Sequence, residues 1–293
     1  LVYLNSSSML QAIPRLRRVL KERKFDVIQS MIRGANIVAL LASLGVKNHA
    51  IVLREANIIL FPNVSLFQKV CVILMLNLLY RLGDAVVCNC ISATEILNKI
   101  LIFYKKPLFT LANPVVEKST FGASFLANIH NKRSRKTFLC VSRHNEQKDI
   151  IILLKAFREL LKTHPQSHLT IIGDGPLFGA NLAAAEKLGI HEETLFLRHF
   201  SPLSEMYLKC ETFVLPSMWE GTPNAMVEAL SFGMKVVSFD ALGCAPKLAR
   251  LGDGDVVKER DPEALMKALV CASNREYPNQ NLRLDKLRQF ELS

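Results

Sequence analysis

The sequence predicts an α/β chain of two domains, each built on a parallel sheet, and three observations carry that prediction. From Lys136 onward, apolar runs of four to six residues alternate with amphipathic segments of ten or more; strand taking turns with helix means crossover units. Residues 1 to about 115 show the same alternation less sharply. The length, 293 residues, suits two cores large enough to fold unaided. Hydrophobic residues make up 50% of the chain and charged residues 22%, which excludes fibrous, disulfide-stapled and disordered classes.

In chain order, the front half predicts helices near Leu10 to Glu22 and Ala35 to Leu44, with strands near Phe25 to Gln29, Ala50 to Leu53 and Ala85 to Cys88. The apolar stretch Val70 to Tyr80 is too short for the ~20 residues of a spanning helix and predicts a core helix. Asn113-Pro114 opens a stretch that ends in the polar Asn128 to Lys136. We therefore expect a front domain over residues 1–120, a linker over 121–135 and a rear domain over 136–293. In the rear domain, strands are predicted at Phe138 to Val141, Leu169 to Ile172, Leu195 to Arg198, Thr212 to Leu215 and Val236 to Phe239. Helices are predicted at Ile150 to Thr163, Asn181 to Leu188, Ser204 to Lys209, Asn224 to Phe232 and Pro262 to Ala272.

Charge is uneven. The chain carries a formal net +11, and residues 1 to 130 hold 15 Lys and Arg against 6 Asp and Glu. Such a basic half can face nucleic acid, an anionic membrane surface or a phosphorylated substrate. Basic and aromatic residues are not interleaved, and no helix-turn-helix or finger pattern occurs, so nucleic acid is not expected. The chain opens at Leu1 without a secretory leader pattern. Seven cysteines lie scattered through apolar runs without zinc-type pairing, and Cys88 and Cys90 would share one strand face. We read them as buried free thiols in a reducing cytoplasm.

The strongest constellation runs from Trp219 to Leu230, directly after the strand ending at Leu215. Thr222 reads as an N-cap and Pro223 as the first helical residue, so the N–H groups of Asn224 and Ala225 open toward an anion. Glu220 precedes the helix and Glu228 lies about a turn and a half along it. An elongated ligand could rest a diphosphate on the helix end and offer hydroxyls to a carboxylate at each extremity; the plain alternative is a solvent-facing glutamate pair with an ordinary cap. Val141-Ser142-Arg143 with Lys148 places two cations on the loop after the strand ending at Val141, within reach of a diphosphate. Past the next strand, Gly173 and Gly175 in Ile172-Gly-Asp-Gly-Pro176 allow close backbone approach to a base or ribose, or simply a tight turn. This is neither the three-glycine dinucleotide fingerprint nor a Lys-Ser/Thr phosphate loop. Gly252-Asp-Gly-Asp255 could hold Mg²⁺, but its composition reads as a turn, and the cations already present make a metal unnecessary.

In order, Val141-Ser-Arg143 with Lys148, Ile172-Gly-Asp-Gly-Pro176, Glu220-Gly-Thr-Pro223, Glu228-Ala-Leu230 and Gly233 resemble the second domain of GT-B glycosyltransferases of family four. The resemblance is close over residues 136 to 272. Phe25-Asp-Val-Ile28, Gly83-Asp-Ala-Val-Val87 and Asn113-Pro114 are similar to landmarks of the first domain. It implies two Rossmann-like domains with a cleft between them. It also implies retaining, metal-free transfer of a hexose or N-acetylhexosamine from a nucleotide sugar, UDP being the expected nucleotide, to an acceptor hydroxyl. By that resemblance Arg143 and Lys148 bind the diphosphate, Glu220 the transferred sugar and Glu228 the ribose, while Gly221, Thr222, Pro223, Asn224 and Ala225 line the phosphate and sugar pocket. No cofactor beyond the nucleotide-sugar co-substrate is implied.

Several positions depart from the family pattern. The glycine-rich loop of the first strand is absent, Arg54-Glu55 stands where a histidine is often found, and Lys247 occupies a frequent glutamate position. Phe290 to Ser293 looks like the start of a closing helix. The front domain is accordingly expected to be incomplete. The acceptor class expected from the basic front half and family habit is a lipid-linked or surface-polysaccharide precursor, met at the inner face of a membrane. A nucleotide-sugar epimerase on the same frame, which would need no acceptor, and a nucleotide-binding chain without transfer are the competing readings.

Overall fold

The computed structural model describes residues 8–46, 49–57, 65–116, 136–277 and 285–290. The chain divides into two compact units, Leu1–Ala112 and Asn113–Ser293. The boundary thus falls before Asn113-Pro114, eight residues ahead of the end expected for the front domain, and the expected linker, 121–135, lies outside the described residues.

In the first unit, α1 (Met9–Glu22), β1 (Val27–Met31), α2 (Arg33–Ser43), β2 (Ala50–Glu55), α3 (Leu66–Leu79), β3 (Ala85–Cys88), α4 (Ile91–Ile100) and β4 (Leu108–Thr110) follow in order. The sheet runs β1-β2-β3-β4, parallel throughout. Each crossover carries a helix, which is what parallel neighbours require. Asp84 accepts the Ile51 N–H at 2.8 Å, tying the starts of β2 and β3 together. Near the carboxyl ends of β1 and β2 lies a buried polar network. Ser30 donates to Asn36 Oδ1 at 2.7 Å, Asn36 Nδ2 donates to Glu55 Oε1 at 2.9 Å, and Tyr80 donates to the same carboxylate. Burial pushes the Glu55 carboxyl above its ordinary range.

Two expectations for this unit are corrected. The apolar helix is not core: only Leu76 and Asn77 of α3 are buried. A helix apolar on every face gives its sequence no mark of which side turns inward. Cys90 also leaves the strand that holds Cys88 and caps α4, its Sγ accepting from the Ala93 N–H at 3.4 Å.

The second unit contains β5 (Thr137–Val141), α5 (Ile150–Leu161), β6 (His168–Ile172), α6 (Phe178–Leu188), β7 (Thr194–Leu197), α7 (Ser204–Lys209) and β8 (Thr212–Leu215). Then come β9 (Trp219–Glu220), α8 (Asn224–Ser231), β10 (Lys235–Phe239), β11 (Leu242–Gly243), α9 (Ala245–Leu251), β12 (Asp255–Val257) and α10 (Pro262–Asn274). All five strands predicted here occur within one or two residues of their expected bounds. The main sheet runs β12-β10-β8-β5-β6-β7, all parallel. The chain winds outward from β5 through β6 to β7, then returns to the other side of β5 at β8. Helices α5 and α10 bury Leu153, Leu154, Phe157, Leu265 and Leu269 on Phe138, Ile171 and Val214 of the sheet. At the amino ends of the strands, Lys235 and Glu211 form a buried pair at 2.8 Å, and Glu211 also accepts the Lys136 N–H at 2.7 Å. The smaller β9-β11 ladder pairs Trp219 with Leu242 and Glu220 with Gly243.

Of the seven cysteines, all free, five are buried, while Cys71 and Cys271 are exposed against expectation. Among the described residues no helix is long and apolar enough to cross a membrane.

Candidate functional site

The order in which the chain adds strands reverses between β5 and β8, and in open parallel sheets ligands collect outside the carboxyl ends of the strands at such a point. Three loops leave adjacent strands there: residues 142–149 after β5, 173–177 after β6 and 216–223 after β8. They hold most of the residues singled out from the sequence.

The first loop folds into a short 3-10 turn, Glu146–Lys148, because Asn145 Oδ1 accepts the Lys148 N–H at 3.2 Å. Asp149 then adopts a left-handed conformation (φ 41°, ψ 52°), which costs a residue with a Cβ of order 1–3 kcal/mol and needs support. Arg260 supplies it. Its guanidinium meets Asp149 Oδ2 at 2.7 Å, donates to the carbonyls of Pro216 at 2.6 Å and Ser217 at 3.2 Å, and lies 4.6 Å from the Phe239 ring centroid. Gln147 adds two bonds, accepting the Met218 N–H at 2.8 Å and donating to the Trp219 carbonyl at 2.7 Å. The loops after β5 and β8 are thereby knitted across the reversal.

This knitting brings Lys148 to Glu220, and the two form an ion pair with side chains only 16% and 7% exposed. The Lys148 ammonium thus holds the carboxylate that the resemblance assigns to the sugar. Arg143 is exposed on the same loop. Glu228, on the second turn of α8, is half-buried and accepts from the Tyr207 hydroxyl at 2.7 Å. Burial and the adjacent carboxylate raise the phenol's pKa, so Tyr207 remains a donor. Glu220 and Glu228 thus each have a partner of their own, Lys148 and Tyr207.

Helix α8 begins at Asn224, as its predicted bounds have it, but its cap differs from the one expected. Pro223 is its N-cap (φ −75°, ψ 95°) and Thr222 does not cap it; a proline at N-cap offers no side-chain acceptor, so Asn224 and Ala225 become the first two helical residues. Their N–H groups belong to the first turn, which finds no acceptor within a helix. The Asn224 side chain is exposed and accepts from Asn113 Nδ2 at 2.9 Å. Thr222 and Pro223 are buried, and the Gly221 carbonyl accepts the Cys244 N–H at 3.3 Å.

The two glycines of Gly-Asp-Gly do a job the sequence left open. Gly173 and Gly175 have φ of 144° and 155°. A Cβ on Gly173 would stand 2.0 Å from the Ser142 carbonyl oxygen, and one on Gly175 2.4 Å from that of His144. Their bare backbones are pressed onto the loop after β5, with the His144 N–H donating to the Asp174 carbonyl at 2.9 Å. Asp174 also pairs with Arg198.

Sequence reasoning missed Arg260, Gln147, Tyr207 and His144. The imidazole of His144 is fully buried against Phe178 and Phe196 and meets Asn181 Nδ2 through Nδ1 at 3.0 Å. Burial lowers its pKa. Its apolar partners lie 34 and 52 positions away, too far for any local pattern. Lys247 is exposed on α9. Gly252–Asp255 is the expected turn: Asp253 takes φ 54°, and Arg275 holds Asp255 at 2.5 Å. Among the described residues no group of three or more His, Cys, Asp or Glu could hold a metal ion.

The parallel sheet, wound both ways from β5, places the second unit in the doubly wound class of α/β protein. The chain belongs to the family described as Glycosyl transferases group 1, whose profile matches residues 125–284. It is 28% identical over 176 residues, 59% of this chain, to an uncharacterized glycosyltransferase of Haemophilus influenzae, of which the match covers 47%. The chain thus spans about half the length of that relative. It is 26% identical over its full length, and over 78% of the relative, to an alpha-1,4-N-acetyl-D-galactosaminyltransferase of Campylobacter jejuni. That enzyme's name gives GalNAc-alpha-(1->4)-GalNAc-alpha-(1->3)-diNAcBac-PP-undecaprenol. Among solved structures, Anabaena Alr3699/HepE in complex with UDP and glucose superposes with a TM-score of 0.72 at 16% identity, covering 97% of this chain and 79% of that one. This likeness establishes the GT-B fold.

Proposed function

We propose that the protein transfers a hexose or N-acetylhexosamine from a UDP-sugar to a hydroxyl of a lipid-linked or cell-surface polysaccharide precursor, with retention of configuration and without a metal. The observation that carries this reading is the knitted pair of loops at the sheet reversal, which gathers Arg143, Lys148, Glu220 and the amino end of α8. Family membership and the undecaprenol-linked substrate named for the Campylobacter relative support the acceptor class. The UDP and glucose held by the Anabaena enzyme support the donor.

Cleavage of the anomeric bond places negative charge on the departing diphosphate and positive character on the sugar carbon. Cations held beside the diphosphate therefore stabilise the transition state more than the ground state. In this reading Arg143 and Lys148 meet the diphosphate, and the backbone from Gly221 to Ala225 lines the phosphate and sugar pocket. Glu220 accepts hydroxyls of the transferred sugar, and Glu228, oriented by Tyr207, accepts those of the ribose. Gly173 and Gly175 shape the wall on which the nucleoside lies. The acceptor's lipid brings the basic first unit to the inner face of a membrane, where the protein works from the cytoplasm.

The test is transfer of labelled sugar from a panel of UDP-sugars to a short polyprenyl diphosphate-linked saccharide, with and without EDTA, and assignment of the product anomer by NMR. Retained configuration at an EDTA-independent rate is the expected result. Conversion of donor alone into an isomeric UDP-sugar would favour an epimerase, and tight UDP binding without transfer to any acceptor would favour a chain that only binds nucleotide.

A further inference from the structure

The second unit begins at Asn113, and the side chain of that residue reaches the head of α8. Asn113 Nδ2 donates to Asn224 Oδ1 at 2.9 Å, across 111 positions of sequence. The segment that carries Asn113 is fastened just beyond it, where the N–H groups of Val115 and Val116 both donate to the Phe290 carbonyl, at 2.9 and 3.0 Å. Asn113 is therefore not needed to hold that segment in place. Its partner Asn224 is exposed and is the first residue of α8. The Pro223 carbonyl takes the N–H groups of Met226 and Val227 at 3.0 and 3.2 Å, and among the described residues no acceptor meets those of Asn224 and Ala225.

An asparagine near a helix start readily bends its side-chain oxygen onto open backbone N–H groups. Here that oxygen is taken: Asn113 holds it, and α8 has no side-chain cap. The N–H groups of Asn224 and Ala225 are thereby left to an outside acceptor, and an anion is the acceptor that a helix amino end favours. With its oxygen engaged, the Asn224 carboxamide meets any ligand as a donor, through its nitrogen. We infer that Asn113 is a positioning residue for the nucleoside diphosphate: by holding the Asn224 oxygen it turns the carboxamide N–H groups toward the β-phosphate and keeps the amino end of α8 open to it. The diphosphate gains a neutral donor beside the cations Arg143 and Lys148. A bond between two neutral, exposed amides adds little to stability, so its effect falls on orientation. The inference rests on the proposed donor reading and adds to that site a residue from the segment by which the chain enters the second unit.

The experiment is calorimetric titration of the full chain with UDP and with UMP, which lacks the β-phosphate. Asn113→Leu removes the donor, while Asn113→Asp keeps the shape of the side chain and replaces the donor by an acceptor, so the Asn224 carboxamide would turn its nitrogen to residue 113 and its oxygen to the ligand. Asn113→Leu is expected to weaken UDP about three- to tenfold, the size of one hydrogen bond, and Asn113→Asp to weaken it further. Both should leave the melting temperature unchanged, and Asn113→Leu should leave UMP affinity unchanged. In an Asn224→Ala background Asn113→Leu is expected to have no further effect, because the residue it acts through is gone, and whatever loss Asn113→Asp still causes there is the plain repulsion of its carboxylate. Equal losses for UDP and UMP in Asn113→Leu, a loss that persists for Asn113→Leu in the Asn224→Ala background, or no loss at all overturns the inference and leaves the donor reading standing. Failure of the wild type to bind UDP overturns both.

Discussion

At the scale of single residues, the two cations of the β5 loop should behave differently when removed. Arg143 is exposed, so Arg143→Ala should leave the melting temperature unchanged while slowing transfer about 10²–10³-fold, as loss of an oxyanion donor does. Lys148→Ala should slow transfer and also destabilise by about 3–5 kcal/mol, because it strands the buried Glu220 carboxylate. Adding Glu220→Gln should recover much of that stability and none of the activity; urea titrations of the three variants beside a transfer assay check this. Gly173→Ala should unfold or strongly weaken the second unit, since its Cβ would strike the Ser142 carbonyl. Only the chemistry of these residues was legible in the sequence. Glu220, Lys148 and the two glycines stood out by type and order, but nothing local said that the lysine would grip the glutamate or that the glycines would press against the loop after β5.

At the scale of elements, the second unit was legible because its strands are short apolar runs and its helices have clear ends. The Asp261 side chain accepts the Ala264 N–H at 2.9 Å ahead of Pro262, opening α10 as that residue order predicts. Failure came where order alone was ambiguous. Thr222-Pro223 fits a helix start in two registers, and the apolar sequence of α3 fits core and surface equally. The packing of α6 yields a further prediction. Folding holds His144 below its ordinary pKa of about 6.5 by burying it against Phe178 and Phe196. The unfolded chain therefore binds the proton more readily. The stability owed to the neutral ring is complete above pH 6.5 and falls as pH drops below it. Denaturant midpoints measured between pH 8 and pH 5 should decline in wild type and flatten in His144→Asn, over and above any difference between the two at pH 8.

At the scale of the whole molecule, charge and chemistry are partitioned. The first unit holds 14 Lys and Arg against 5 Asp and Glu, the second 23 against 21. Binding to anionic vesicles should weaken as salt rises from about 50 to about 500 mM, because screening shortens the reach of the first unit's charge. UDP binding by the nearly neutral second unit should respond less. At 100 times its dissociation constant, UDP should stabilise the second unit by about 2.7 kcal/mol, read as a rise of several degrees in a thermal-shift assay.

The bond between Lys148 and Glu220 has a kinetic corollary. In the proposed reading, an incoming diphosphate must win the ammonium from an internal competitor, and that competitor is waiting to reclaim it once the sugar has gone. Glu220→Gln should therefore retain spent UDP longer, a slower off-rate visible by stopped-flow even where no sugar is transferred.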